Sequence, residues 1–346
     1  MEIPRELFKP ETNSAMLLVI MLVSVFNSRA DTLYVSDYGN NTIWKFMADG
    51  SGSLFANSSI NHPMGLAFDQ SGNLYLANNA GFKDSTIVKF VANGTGSQFA
   101  TNLYASMGVA IDGTDIYVAN EGSTIINKIS SGGSSSVLST THYSAEGLAF
   151  DGVGNLYVAD FNENRIMKYS PGGASSIFAS PGLNGPTGIA FDGAGNLYVA
   201  NASGNTIRKF SRAGADLGTF ASTGLNYPFG IAFDSTGNLY AANFFGGNIR
   251  KFSSAGNDLG NFVSSGLSNP SYLAIVPDPT LNILVSSNQA VLSWPVSGTN
   301  YVLQSATDLI SSNWIDSSNL AAVRVLRCVL TNSVSADSRF YRLEWP

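Results

Sequence analysis

The chain has 346 residues, only 12% of them charged, and its 24 acidic side chains outnumber 18 basic ones for a net charge of −6. A chain with an acidic surplus and no basic stripe is not expected to bind nucleic acid. With 44% hydrophobic residues it can build a core and is not disordered, and its single cysteine, Cys328, permits neither an internal disulfide nor a cysteine metal cluster.

The first element is an apolar stretch from Ala15 to Phe26, followed by Ser28-Arg29-Ala30. It is too short to span a bilayer well, and the small residues flanking Arg29 suit a cleavage site. Residues 1–30 are therefore expected to be an export signal, leaving a secreted, periplasmic or cell-surface chain with no stable membrane insertion after cleavage. A buried strand or an uncleaved anchor is the alternative. Arg5 and Lys9 are offset by Glu2, Glu6 and Glu11, so a start at Met16 rather than Met1 stays open.

From Asp31 one phrase recurs: Gly-φ-Ala-Phe-Asp, where φ is aliphatic, then a short loop, Gly-Asn-Leu-Tyr-Val-Ala-Asn/Asp, and Ile-x-Lys-Phe. It reads at Gly65 to Asn78, Gly147 to Asp160, Gly188 to Asn201 and Gly230 to Asn243, with a degenerate copy from Gly108 to Asn120. The leading glycines are 43, 39, 41 and 42 residues apart. A period near forty with several short strands per unit marks a repeat architecture. Each unit holds four strands, the fourth being a weaker segment such as Ser176-Ile177-Phe178-Ala179. Between the first two lies Asp-x-x-Gly-Asn, a tight turn in which Asp bonds nearby backbone N–H groups and Gly takes a positive φ.

Six second strands can be read, at Leu33-Tyr34, Leu74-Tyr75, Ile116-Tyr117, Leu156-Tyr157, Leu197-Tyr198 and Leu239-Tyr240. Five first strands precede their partners, and the sixth comes late, at Ser271 to Val276. The spacing predicts an all-β fold: a six-bladed β-propeller over 31–279, closed by a C-terminal strand that completes the blade begun at Asp31. The recurring alanines Ala67, Ala110, Ala149, Ala190, Ala232 and Ala274 fall on the innermost strand, and the six tyrosines form a layer between blades. Lys45, Lys89, Lys128, Lys168, Lys209 and Lys251 also recur once per blade. A lysine ring could bind an anion. The third strand lies away from the axis, however, so the stems are expected to pack along it with their heads at solvent or a nearby Asx.

These residues resemble the NHL-repeat family of six-bladed β-propellers and, more distantly, the gluconolactonase/regucalcin type. The resemblance covers 31–276 and is fullest from Gly147 to Tyr169. It implies a binding surface for proteins, nucleic acids or glycans, while related rings are hydrolases and lyases. Gluconolactonase-type enzymes hold a divalent metal with Glu, Asn and Asp placed just before innermost strands. Here those positions are Met64, Met107, Glu146, Thr187, Phe229 and Ser271, and only Glu146 matches. One carboxylate among Met and Phe does not make a hard-cation site. The two histidines, His62 and His142, lie in blades that are not adjacent and assemble no zinc set. Neither a Gly-x-Ser-x-Gly elbow nor a phosphate loop is present. No metal and no cofactor are expected.

In propellers the loops entering the innermost strand and those joining strands two and three share one face, and there the repeats stop agreeing. After strand two come Tyr38, Asn79, Glu121, Phe161, Ala202 and Phe244; before strand one come His62, Tyr104, His142, Tyr143, Glu146, Tyr227 and Phe229. The expected ligand-binding residues are Glu146, Phe161, Tyr227, Phe229 and Phe244. Glu146 and His142 are the catalytic candidates, with Glu146 as general base. The structural alternative is that the aromatics only cover blade ends.

Past Pro277-Asp278-Pro279 the repeat stops. Residues 280–346 alternate as short strands, Leu281 to Val285, Ala290 to Trp294, Tyr301 to Ser305, Val323 to Leu330 and Phe340 to Trp345, predicting a small β-sandwich of immunoglobulin or fibronectin type. The segment resembles C-terminal modules of exported bacterial proteins, which implies attachment, sorting or glycan contact. The expected function is a secreted, monomeric bacterial module that binds protein or carbohydrate through its variable loop face. The alternative is an extracellular, gluconolactonase-like hydrolase or lyase with a site around Glu146.

Overall fold

The computed structural model describes residues 31–123, 125–139 and 144–277, and strand segments between 282 and 344. Residues 31–277 form six antiparallel four-stranded sheets. The innermost strands of blades one to six are Pro63–Phe68, Ser106–Asp112, Ala145–Phe150, Pro186–Phe191, Pro228–Phe233 and Pro270–Val276. Each touches the next, and the sixth touches the first, so the ring is closed. In blade six the late strand Pro270–Val276 pairs with the early strand Thr32–Asp37 in the register Thr32↔Val276 to Asp37↔Pro270. The fold is thus a six-bladed β-propeller latched by its C-terminal strand, as the repeat count implies.

In the first five blades the inner strand carries a β-bulge near its start, between Pro63 and Leu66, Ser106 and Val109, Ala145 and Leu148, Pro186 and Ile189, and Pro228 and Ile231, and blade six shows the same shift between Pro270 and Leu273. In the first five the residue pair inside the bulge ends in the repeat's leading glycine. A Cβ on Gly108 would lie 2.2 Å from Glu146 O, and one on Gly147 2.3 Å from Thr187 O. The glycine is therefore required by the approach of the neighbouring backbone. The six positions read as preceding the strands in fact lie inside them, where the bulge aims their side chains.

Blade six has no such glycine; Tyr272 stands in its place. Blades six and one meet instead through hydroxyls. Ser36 Oγ donates to Met64 O at 2.7 Å, and Ser271 Oγ to Pro63 O at 2.8 Å.

Outside the axis the second-strand tyrosines form the predicted layer. Tyr157 meets Phe178 of its own blade and Phe191 of the next, edge-on at 4.8 and 4.9 Å; Tyr198 meets Phe220 and Phe233 in the same way. Such edge-on pairs add about 0.5–1.5 kcal/mol each beyond their buried area.

Tyr75, Tyr157, Tyr198 and Tyr240 are also tied to the Asp turns. Asp234 Oδ1 accepts Thr236 N and Asn238 N at 3.0 and 2.8 Å, and its Oδ2 accepts Asn238 Nδ2 at 2.9 Å and Tyr240 OH at 3.3 Å. Gly237 takes a φ of +85°. Lys251 Nζ lies 3.6 Å from Asp234 and 4.7 Å from the Tyr240 ring centroid; Lys209 does the same with Asp192 and Tyr198. These lysines neutralise turn aspartates and cap tyrosine rings. Burial opposes ionisation of Asp151, Asp192 and Asp234, but the hydrogen bonds they accept outweigh it and hold their carboxyls below the usual range.

The C-terminal unit is a separate body of strands. Asn282–Ser286, Gln289–Pro295, Arg327–Ser333 and Ala322–Arg324 form one sheet; Ile315–Asp316, Val302–Ala306 and Phe340–Glu344 form another. The segment expected as one strand from Val323 to Leu330 is a tight hairpin, pairing Arg324 with Arg327.

Candidate functional site

The bulges gather the divergent side chains at the loop-face end of the axis. Met64, Met107, Glu146, Thr187, Phe229, Ser271 and Tyr272 are all buried there. Met64, Met107, Phe229 and Tyr272 belong to one apolar cluster, with Tyr38, Tyr227 and Phe244 packed against it. Thr187 is satisfied within the fold, its hydroxyl within 3.1 Å of Pro228 O and 3.0 Å of Phe229 O.

Glu146 is not so satisfied. It is 4% exposed, and its Oε2 has no hydrogen-bond partner. Burial first, and the charge of Glu121 second, push its carboxyl well above the usual carboxylate range. The Tyr272 hydroxyl is likewise buried without a partner. Burial pushes it up first, and the fields of Glu146 and Glu121 add to that. Blades three and six are opposite in a six-membered ring, so the charge of Glu146 reaches Tyr272 from across the axis. Glu121 itself is exposed, and its backbone bridges to Ser144, two residues before Glu146.

Around this pair stands an aromatic wall from blades five, six and one. Phe229 lies 5.3 Å from Tyr272 and 5.5 Å from Phe244; Phe244 lies 5.2 Å from Phe245 and 5.6 Å from Tyr38; Tyr38 stacks on His62 at 4.5 Å. The wall runs from buried Phe229 out to Phe245, which is 63% exposed. Tyr227 packs on Phe245 at 4.8 Å and bonds Ser203, and burial and then Glu146 push its hydroxyl up. Phe161 closes against Gly185 and Ser203 on the far side.

The backbone beneath these rings is left-handed. The residue just before the inner strand has positive φ at His62 (49°), Ala105 (42°), Gly185 (63°), Tyr227 (53°) and Asn269 (62°). Asn side chains from the preceding blade hold it: Asn41 Oδ1 accepts His62 N at 2.6 Å, Asn164 Oδ1 accepts Gly185 N at 2.7 Å and Asn205 Oδ1 accepts Tyr227 N at 2.6 Å. A bulky residue in this region costs on the order of 1–3 kcal/mol, and blade four shows the unstrained choice, glycine.

Of the expected site residues, Glu146, Tyr227, Phe229 and Phe244 converge at the axis end, and Phe161 borders them through Ser203. Phe229 is not on a loop tip but inside an inner strand, 7% exposed, so it supports the wall from behind. His142 and Tyr143 lie outside the described residues, so no pairing of Glu146 with His142 is described. Tyr272 was missed; its signal was a tyrosine at the one bulge without glycine. Phe245 was missed because the repeat register ended at Phe244.

No protein-family model matches the sequence, and no curated protein matches it significantly. Solved structures do resemble its fold. A chain of the nidogen/laminin complex aligns with a TM-score of 0.64 at 21% identity, covering 71% of this chain and 98% of that one. Virginiamycin B lyase from Staphylococcus aureus aligns at 0.54 and 15% identity, covering 75% and 87%, and the gluconolactonase XC5397 from Xanthomonas campestris at 0.53 and 20%, covering 66% and 82%. At these identities the likeness shows the propeller fold alone.

Proposed function

We propose that this propeller is a secreted binding module that holds a protein or carbohydrate ligand on the loop face carrying Glu146, Phe161, Tyr227, Phe229 and Phe244. The observation that carries the reading is the left-handed backbone at His62 and Tyr227. Strain of this kind persists where function needs the side chain, and both rings feed an aromatic wall that reaches solvent at Phe245. On the opposite face the carboxylates of the Asp turns are consumed in holding the turns themselves. A chain of similar fold in a nidogen/laminin complex is consistent with protein binding by such a ring. The C-terminal strands are read as a β-sandwich that attaches or sorts the module.

The test is a glycan array and a panel of secreted proteins probed with the full chain. For any ligand found, Tyr227→Gly should relieve strain, leave folding intact and weaken binding by about 2 kcal/mol, whereas Gln70→Ala and Ser235→Ala in the Asp turns should not. Binding lost in the Asp-turn variants and kept in Tyr227→Gly would assign the wrong face.

One observation favours a second reading, an extracellular hydrolase or lyase. Glu146 and Tyr272 present two unpartnered polar groups across the axis. Burial that raises the Glu146 carboxyl suits it to proton transfer, as donor or as the general base expected from sequence.

A further inference from the structure

A recess lies at the rim of the ring, between blades five and six, away from the axis. It has a volume of about 300 Å³, the lower end of the range for ligand pockets, and is walled by Trp44, Phe46 and Phe262 and edged by Ser264, Ser265 and Gly266.

In two of the other five blades an arginine fills the equivalent place. In blades four and five the third strands read Thr206-Ile207-Arg208-Lys209-Phe210 and Asn248-Ile249-Arg250-Lys251-Phe252; in blade six Thr42-Ile43-Trp44-Lys45-Phe46 puts tryptophan where they have arginine. Arg208 lies over Gly182 of the preceding blade's loop, 2.5 Å from where a Cβ would be, and pairs with Asp216; Arg250 lies over Gly224 at 2.6 Å and pairs with Asp258. The equivalent glycine, Gly266, has nothing within 4 Å of its missing Cβ. The carboxylate is gone as well, since the outer strand Gly52–Ala56 begins with glycine where the siblings begin with Asp216 and Asp258. Blade six keeps the floor and has lost the internal occupant.

The lining states the chemistry of a replacement. No lining residue is ionisable, so neither an anion nor a guanidinium finds a counter-charge. Trp44, half-buried and stacked on Phe46 with ring centroids 6.1 Å apart and planes 23° apart, offers a flat apolar wall. Its Nε1–H is buried without an acceptor, and the rim carries the exposed serines 264 and 265. A ring with one apolar face and peripheral oxygens suits both the aromatic wall and the serine rim. We propose that the groove between blades five and six binds a single neutral sugar ring of a glycan, stacked on Trp44.

The test uses the full chain with neutral methyl glycosides of glucose, galactose, mannose and N-acetylglucosamine and their short oligomers, read by saturation-transfer NMR. At least one should bind with Kd of about 1 mM or below. Trp44→Arg, which restores the sibling side chain, should weaken it at least about tenfold while melting as the wild type does. Tyr227→Gly should leave it unchanged, which separates this groove from the loop face. Trp44→Phe, which keeps a smaller ring, should fall between. Absence of saturation transfer from every neutral sugar, or unaltered binding by Trp44→Arg, refutes the proposal.

Discussion

Replacing Glu146 by methionine should stabilise the propeller, and by more as the pH rises. Methionine already occupies the equivalent bulge position in blades one and two, as Met64 and Met107, each buried. Glu146 Oε2 is enclosed without a partner, and burial together with Glu121 pushes the carboxyl well above the usual carboxylate value of 4.5. A carboxyl whose folded-state pKa lies above its unfolded one contributes fully below the unfolded value and loses that contribution as the pH climbs to the folded one. Across that window the wild type should lose about 1.4 kcal/mol for each pH unit. At about 2–4 °C per kcal/mol for a domain of this size, the Tm of Glu146→Met should pull ahead of the wild type as the pH rises above the usual carboxylate value. Calorimetry of both chains at one-unit pH steps reads this directly, with Glu146→Gln as an isosteric control. A gap that stays constant with pH, or a wild type that is the more stable at the alkaline end, would refute the reasoning. The carboxylate would then be ionised and paired with a cation or ligand, which would strengthen the enzymatic reading.

Two further outcomes follow from the ring itself. A chain ending at Gly260 loses the strand Pro270–Val276 that pairs with Thr32–Asp37 and separates blades five and one; its melting should broaden relative to residues 31–279, and an equally sharp transition would contradict closure by this strand. Asp234→Ala strips acceptors from Asn238 N, Asn238 Nδ2 and Tyr240 OH, and should cost about 1.5–3 kcal/mol near neutrality. Because the Asp234 carboxyl is held below its usual value, that cost should shrink as the pH falls through the native pKa, and a cost that persists in acid would assign it to packing instead.

What could be read from the chain beforehand was whatever repeats. The Asp turns and the tyrosine layer are each set by local chemistry repeated from blade to blade: Gly237 needs a positive φ, Asp234 needs donors, and Tyr240 needs the phenylalanine of its own outer strand. The site was legible only as the place where the repeats disagree, because a single copy of a residue carries no period. Glu146 could be picked out as the lone carboxylate in its ring of six positions, but its partner across the axis could not. Tyr272 sits on a strand brought from the far end of the chain, and its meaning depends on recognising that every other blade has glycine there. The cost of that tyrosine is visible in Ser36, which stands where the other second strands have alanine and joins blades six and one through Met64 O. Where a repeat protein abandons its own rule and repairs the damage nearby, as at Ser36, the exception is retained against a structural cost, and the axis end is where this chain does so.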